Sequence, residues 1–429
     1  MRYYSTRGQV PPVSLKEAVT KGLAADNGLF MPERLDTLPL SFFKQISDMS
    51  LQEMSLEVAK RFFGEDVPEQ ELKRIVYDTL SFDIPLVELT DRIASLELFH
   101  GPTMAFKDVG ARFMARLLGY FMQDSSREVN VLVATSGDTG SAVANGFYKV
   151  PGIKVFVLYP KGRVSAIQEK QFTTLGENVS AIEVEGAFDD CQRMVKEAFL
   201  DEELNQALQL TSANSINLAR LLPQSFYYFY GYAQMKDKSQ VICCVPSGNF
   251  GNICAALIAK RMGLPIHHFV AGTNRNDVFP EYLRTGTYVP RPSIITIANA
   301  MDVGNPSNFV RILDLYGHSH QAICDDITSY SYADDVIRET IRSVRAEYGY
   351  LLDPHGAVGY KALHTYLRDH PGKGFFIETA HPAKFTDTVE SIIHEKVALP
   401  ANLARFSQGV KQTVVMPATL EALKQYLLR

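Results

Sequence analysis

From Val129 onward, nearly continuous apolar runs alternate with amphipathic stretches. VNVLVAT (129–135), IKVFVLYP (153–160), VSAIEVEG (179–186), VICCVPSG (241–248) and PIHHFVAG (265–272) are rich in β-branched and aromatic residues. Between them lie SAVANGFYK (141–149), a helix following VSAIQEKQF (164–172), DDCQRMVKEAF (189–199) and a helix from about Ile253 to Arg261. Strands that are apolar on both faces, separated by helices, predict parallel sheets covered on both sides. The expected class is α/β.

The first 90 or so residues read differently. SLKEAVTKGL (14–23), LSFFKQISDMSLQEMSLEVAKRFFG (40–64) and EQELKRIVYDTL (69–80) are helical in period, with few strand signals. They predict a helical N-terminal region over residues 1–95, packed on the α/β body. A smaller α/β domain is expected over 96–240 and a larger one over 241–429. The end, PATLEALKQYLLR, reads as a short amphipathic helix.

Composition narrows the function. With 429 residues, 46% apolar content and a net charge of −5, the chain has no excess of basic residues to form a nucleic-acid face. No apolar run is long enough to span a bilayer, and the start, MRYYSTRGQVPP, lacks the apolar core of a signal peptide. A cytoplasmic protein is expected, acting on a small molecule, with monomer and homodimer both open. The five cysteines form no C-x-x-C pair, and reduced thiols are the simpler reading. Adjacent His267 and His268 fall in a strand and point to opposite faces, so together they do not ligate one metal.

Three strand–loop–helix junctions share one design: LFHGPTMAFKD (98–108), VATSGDTGSA (133–142) and VPSGNFGNICA (245–255). Small residues let the backbone approach a ligand, and the free amides at a helix start attract anions. SGNFGN (247–252) is the best phosphate cradle, with Gly248 and Gly251 folding tightly and Asn249 and Asn252 offering side-chain amides. It is neither a Walker A loop nor a G-x-G-x-x-G, so a nucleotide loses its usual support. SGDTG (136–140) offers a second anion loop with hydroxyls at Thr135, Ser136 and Thr139, and also a helix N-cap. Lys107 opens a helix in apolar surroundings, where dipole and desolvation both disfavour its charge. A neutral amine is a nucleophile able to form a Schiff base, and beside a phosphate cradle it fits pyridoxal phosphate. From the residues alone, a structural lysine with its stem buried stands equally open.

The motifs resemble those of the threonine synthase family, within the tryptophan-synthase-β-like, fold type II pyridoxal-phosphate enzymes. They are STRG (5–8), GLAADNGLFMP (22–32), HGPTMAFKD (100–108), ATSGDTGSA (134–142), NSINLAR (214–220), PSGNFGN (246–252), DPHGAVG (353–359) and ETAHPAKF (378–385). The resemblance implies two α/β domains with the cofactor between them. It implies that Lys107 carries pyridoxal phosphate, that Gly248, Asn249, Phe250, Gly251 and Asn252 hold its phosphate, and that Thr379 faces its pyridine nitrogen. Many relatives have asparagine where this chain has Asp138, and a carboxylate cannot donate to the cofactor's phenolic oxygen unless protonated. The implied substrate is O-phospho-L-homoserine, bound through Thr135, Ser136, Thr139, Ser215 and Arg220. Without the resemblance, Arg220 reads as a cation on a helix running on through ARLLPQSFYYFYGYAQM. The competing expectations are a threonine or serine dehydratase and a ligand-binding relative without turnover, with a kinase a distant third.

Overall fold

The computed structural model describes residues 1–123 and 127–429. Two sheets form its frame. In the first, the strands run in the order Ile327–Ser331, His268–Thr273, Val241–Pro246, Lys373–Glu378, Ile93–Glu97 and Leu86–Glu88. All neighbours are parallel except the last pair. In the second, Val414–Pro417, Val179–Glu185, Ile153–Pro160, Val129–Ala134 and Gln209–Ser212 are parallel throughout. The α/β class read from the continuous apolar runs is the class observed.

Period-2 alternation explains how both faces of each strand are covered. Val129, Val131 and Val133 enter a large central core, whereas Leu132 and Ala134 enter an outer one beneath the helix Phe188–Leu200. In the other sheet Val241, Cys243 and Val245 face the central core, and Ile242 and Cys244 face an outer core under the helix Pro354–Asp369. The N-terminal helices belong to the same central core. Phe62 and Phe63 are fully buried in it, and the Phe63 ring lies 4.9 Å from that of Phe113.

Three details differ from the sequence reading. Sheet membership does not follow chain order at residues 96 and 241. The strand Ile93–Glu97 hydrogen-bonds beside Lys373–Glu378, and Val414–Pro417 returns to the sheet of Val179–Glu185. Next, the N-terminal region carries a three-stranded antiparallel sheet of Val13–Ser14, Arg2–Ser5 and Phe30–Pro32. Strands of two to four residues are too short to show a period. Finally, two long helical readings are broken. Leu40–Gln45 and Leu51–Phe63 are separated at Ser50, whose hydroxyl and backbone amide exchange hydrogen bonds with Glu53 in a capping box. Leu218–Leu221 and Phe226–Gln234 are joined by a 3-10 turn at Pro223, which lacks the donor a continuous helix needs. Among the described residues, no helix is long and apolar enough to cross a membrane.

Candidate active site

The three junctions converge on one pocket. Lys107, Ser136, Thr139, Ser215, Arg220, Gly248, Asn249, Phe250, Gly251, Asn252 and Thr379 all line it. Lys107 is the first residue of the helix Lys107–Met122. Its loop is braced by Asp108, which accepts from Thr103 N at 2.9 Å and from Thr103 Oγ1 at 2.6 Å. It is also pinned to the far strand end, because Phe106 N donates to Thr379 O at 2.8 Å and Ala105 bridges Ala380. This pairing is how Lys107 and Thr379 come to share a pocket. The lysine side chain opens onto the pocket yet is walled by protein. Burial lowers its pKa to about 8, opposed by Asp138 and reinforced by Arg220 and Lys384.

The SGNFGN loop runs from the strand Val241–Pro246 into the helix Gly251–Arg261. Phe250 holds a left-handed backbone at φ 59°, an unusual cost for a bulky residue and a mark of functional sites. A Cβ on Gly248 would stand 2.7 Å from Met301 Cα, and one on Gly251 would stand 3.0 Å from Ser215 Cβ. Only glycines let the loop lie this close to its neighbours. The expected amide side chains are committed elsewhere. Asn249 Nδ2 donates to Ser215 Oγ and its Oδ1 accepts from Ser307 N. Asn252 braces the loop through Ser247 Oγ, Pro246 O and Ile253 N. A phosphate here is left to the backbone amides of the helix start, which have no intrahelical acceptors.

Thr135 and Asp138 do not line the pocket. Thr135 is fully buried, and its Oγ1 accepts from Gly137 N at 2.9 Å and Gly140 N at 2.8 Å, so it shapes the SGDTG loop from beneath. Asp138 Oδ1 lies 2.5 Å from Lys384 Nζ and accepts from Gln168 Nε2 at 2.8 Å. Burial pushes its carboxyl up, but Lys384 and Lys107 outweigh that and hold it at about 2. It is a carboxylate at neutral pH, and this oxygen already has two partners.

Arg220 is not the helix-face cation that periodicity alone suggests. It is 3% exposed, its Nη1 donates to Ala213 O, and its Nε has no partner among the described residues. An orphaned guanidinium N–H beside a pocket costs free energy unless a ligand accepts from it. Asn214 ties the segment to the SGDTG junction by donating to Ala134 O at 3.1 Å. Sequence reasoning missed the stretch Asn299–Val303, which covers the phosphate loop, and His355. His355 Nε2 accepts from Ala300 N at 3.1 Å, while Nδ1 lies 2.5 Å from Asp353 Oδ2. The DPHGAVG motif carried a signal for His355; nothing periodic marked the Asn299–Val303 stretch.

A lone amine with a lowered pKa, a glycine cradle closed over by backbone and a second, unsatisfied cation fit one class: the pyridoxal-phosphate enzymes. A family model for pyridoxal-phosphate dependent enzymes matches residues 87–375. Models for the threonine synthase N terminus and C terminus match residues 2–80 and 356–427. A threonine synthase of Serratia marcescens is 40% identical over 430 residues, covering 100% of this chain and 99% of its own. The crystal structure of the Escherichia coli threonine synthase superposes with a TM-score of 0.94 at 40% identity, covering 100% of this chain and 99% of that one. That of a PLP-bound threonine synthase from Brucella melitensis gives 0.93 at 35% identity, with the same coverage. The chain belongs to the threonine synthase family, and its cofactor is pyridoxal phosphate.

Proposed function

We propose that the chain converts O-phospho-L-homoserine and water to L-threonine and inorganic phosphate, the last step of threonine biosynthesis. The observation that carries this reading is the pairing of Lys107 with Arg220 in one pocket. Arg220 is a buried cation whose Nε has no hydrogen-bond partner among the described residues. One phosphate belongs to the cofactor on the Gly248–Asn252 backbone, and the second phosphate belongs to the substrate.

When bound, pyridoxal phosphate supplies an electron sink for charge developing on the substrate carbons. The remaining work falls to side chains of this chain. Lys107 holds the cofactor and, once released, takes the substrate Cα proton and later returns one. Its low pKa suits both acts near neutrality. Arg220, Ser215 and Thr139 bind the γ-phosphate and stabilise the dianion as its C–O bond breaks. Ser136 contributes a further hydroxyl. Thr379 offers the pyridine nitrogen a neutral partner. A second proton leaves from Cβ before the γ C–O bond breaks; water then adds its hydroxyl at Cβ, and protons returned at Cγ and Cα complete threonine. All five cysteines are unpaired, which fits a reducing compartment and a cytoplasmic location.

The assay is threonine and phosphate formation from O-phospho-L-homoserine, followed together, with free threonine as the control substrate. Equal production of both products supports the reading. Conversion of free threonine to an oxo acid, with O-phospho-L-homoserine left intact, would replace it with a dehydratase. The match of residues 2–80 to the threonine synthase N terminus favours the synthase.

A further inference from the structure

Arg311 is a guanidinium with 0% exposure, and among the described residues no carboxylate accepts a hydrogen bond from it. It lies on the helix Phe309–Leu315, outside the pocket lining. Burial lowers its pKa to about 10, so it remains a cation at neutral pH. Its donors go to oxygens on three segments. Nε and Nη2 donate to Phe30 O at 3.3 and 3.0 Å, Nη1 donates to Ser215 O at 3.0 Å, and Nη2 donates to Ile216 O at 2.6 Å. Nη1 also donates to Asn308 Oδ1 at 2.7 Å.

The last bond decides which way the Asn308 amide points. With its oxygen held by Arg311, its Nδ2 donates to Ser215 Oγ at 3.0 Å and to Asn249 O at 3.1 Å. Asn249 Nδ2 donates to the same Ser215 Oγ at 2.9 Å. A serine hydroxyl has two acceptor lone pairs and one hydrogen. Both lone pairs of Ser215 are thereby occupied by amide donors. Its hydrogen is the one remaining capacity, and Ser215 lines the pocket.

We propose that Arg311 is a positioning residue for the substrate's phosphate: through Asn308 it fixes Ser215 as an obligate donor, while it clamps the Ser215–Ile216 backbone against the N-terminal strand. The inference rests on the reading of Ser215 and Arg220 as the second phosphate subsite. A hydroxyl free to rotate could meet an anion with a lone pair, whereas this one meets it with a proton. The arrangement also joins Asn249 of the cofactor-phosphate loop to the substrate side through a single hydroxyl.

Two holoenzyme variants test this, Arg311→Lys and Asn308→Asp. A lysine cannot reproduce the guanidinium's planar set of bonds. Aspartate keeps the volume of asparagine and pairs with Arg311, but presents Ser215 with an oxygen that takes its hydrogen. The readouts are the inhibition constant of inorganic phosphate, the KM for O-phospho-L-homoserine, and the binding of an unphosphorylated amino acid followed by the cofactor's absorbance. We expect phosphate affinity to fall at least tenfold and KM to rise likewise, with the unphosphorylated amino acid changed less than threefold. In a Ser215→Ala background, Asn308→Asp should lose most of its effect. Equal weakening of both ligand types, no weakening of either, or an undiminished effect in the Ser215→Ala background overturns the proposal. If Arg311→Lys does not fold, Asn308→Asp alone decides. Should Ser215→Ala and Arg220→Leu both leave phosphate inhibition unchanged, the subsite reading itself falls; if they weaken it and the two positioning variants do not, only the role of Arg311 does.

Discussion

Lys384 Nζ lies 2.5 Å from Asp138 Oδ1, with both side chains almost sealed from water at 0% and 4% exposure. Lys384 also donates to Thr103 O at 2.9 Å, in the loop that presents Lys107. The pair therefore ties the SGDTG loop, the HGPTMAFKD loop and the ETAHPAKF segment into one unit. Replacing the carboxylate by an amide leaves a buried ammonium without its counter-charge, a change that costs about 3–5 kcal/mol in comparable pairs. Asp138→Asn should destabilise the protein by that order in urea unfolding, and adding Lys384→Met should recover much of it. Because the Asp138 carboxyl sits at about 2, below its ordinary value, its stabilising effect is present at neutral pH and fades as pH falls towards 2. An Asp138→Asn protein as stable as the parent would show that the ion pair does not hold these loops.

The lowered pKa of Lys107 sets a pH dependence for cofactor capture. An ordinary lysine has roughly one amine in a few thousand uncharged at pH 7, whereas one titrating near 8 has about a tenth. Covalent capture of pyridoxal phosphate by the cofactor-free protein should therefore accelerate as pH rises and level off above about 8. Stopped-flow absorbance across pH 6 to 10 reads the midpoint. A midpoint near 10.5 would mean that burial does not govern this amine. Borohydride reduction and peptide mapping should place the pyridoxyl group on Lys107, and Lys107→Ala should lose turnover while retaining cofactor on the phosphate loop.

Gly248 is the tightest point of the phosphate cradle. A methyl there meets backbone, the Cα of Met301 at 2.7 Å and Ala300 O at 2.9 Å, so no side-chain rotation relieves it. Overpacking of this kind costs about 1–3 kcal/mol. If the strain is relieved by moving the loop, Gly248→Ala should weaken cofactor retention by about ten- to a hundred-fold. Equilibrium dialysis measures this directly, and unchanged retention would place the phosphate elsewhere.

Lys107 was legible in the sequence because its cues are local: an apolar run, a Gly-Pro turn and a helix start, all within ten residues. The glycine loops were legible for the same reason, as were the parallel strands, whose apolar runs are continuous. Lys384, Gln168, Asn308 and Arg311 were not. Each acts by reaching a segment far away in the chain, and neither charge nor period marks a partner at such separation. Asn249 and Asn252 show what local cues leave out. Their side chains read as ligand donors, but the amides face internal acceptors once the loop closes. Pro223 was visible and still read through, since the leucines before it and the aromatic residues after it kept the apolar stretch continuous.

Arg220 separates the two phosphates experimentally. Arg220 lines the pocket, and among the described residues its Nε has no hydrogen-bond partner and its Nη1 donates to Ala213 O, on a segment separate from the Gly248–Asn252 loop. Loss of a buried, charge-assisted contact to a dianion costs on the order of 2–4 kcal/mol in kcat/KM, or roughly thirty- to a thousand-fold. Arg220→Leu should lose that much with O-phospho-L-homoserine while keeping a normal cofactor content. Lysine should rescue only part of the loss, since a point charge cannot form two parallel bonds to one phosphate. An unphosphorylated amino acid that perturbs the cofactor spectrum should bind the leucine variant about as well as the parent. If its binding weakens as much as that of the phosphorylated substrate, Arg220 supports the fold of the segment rather than the phosphate, and the second anion site must be sought on other residues.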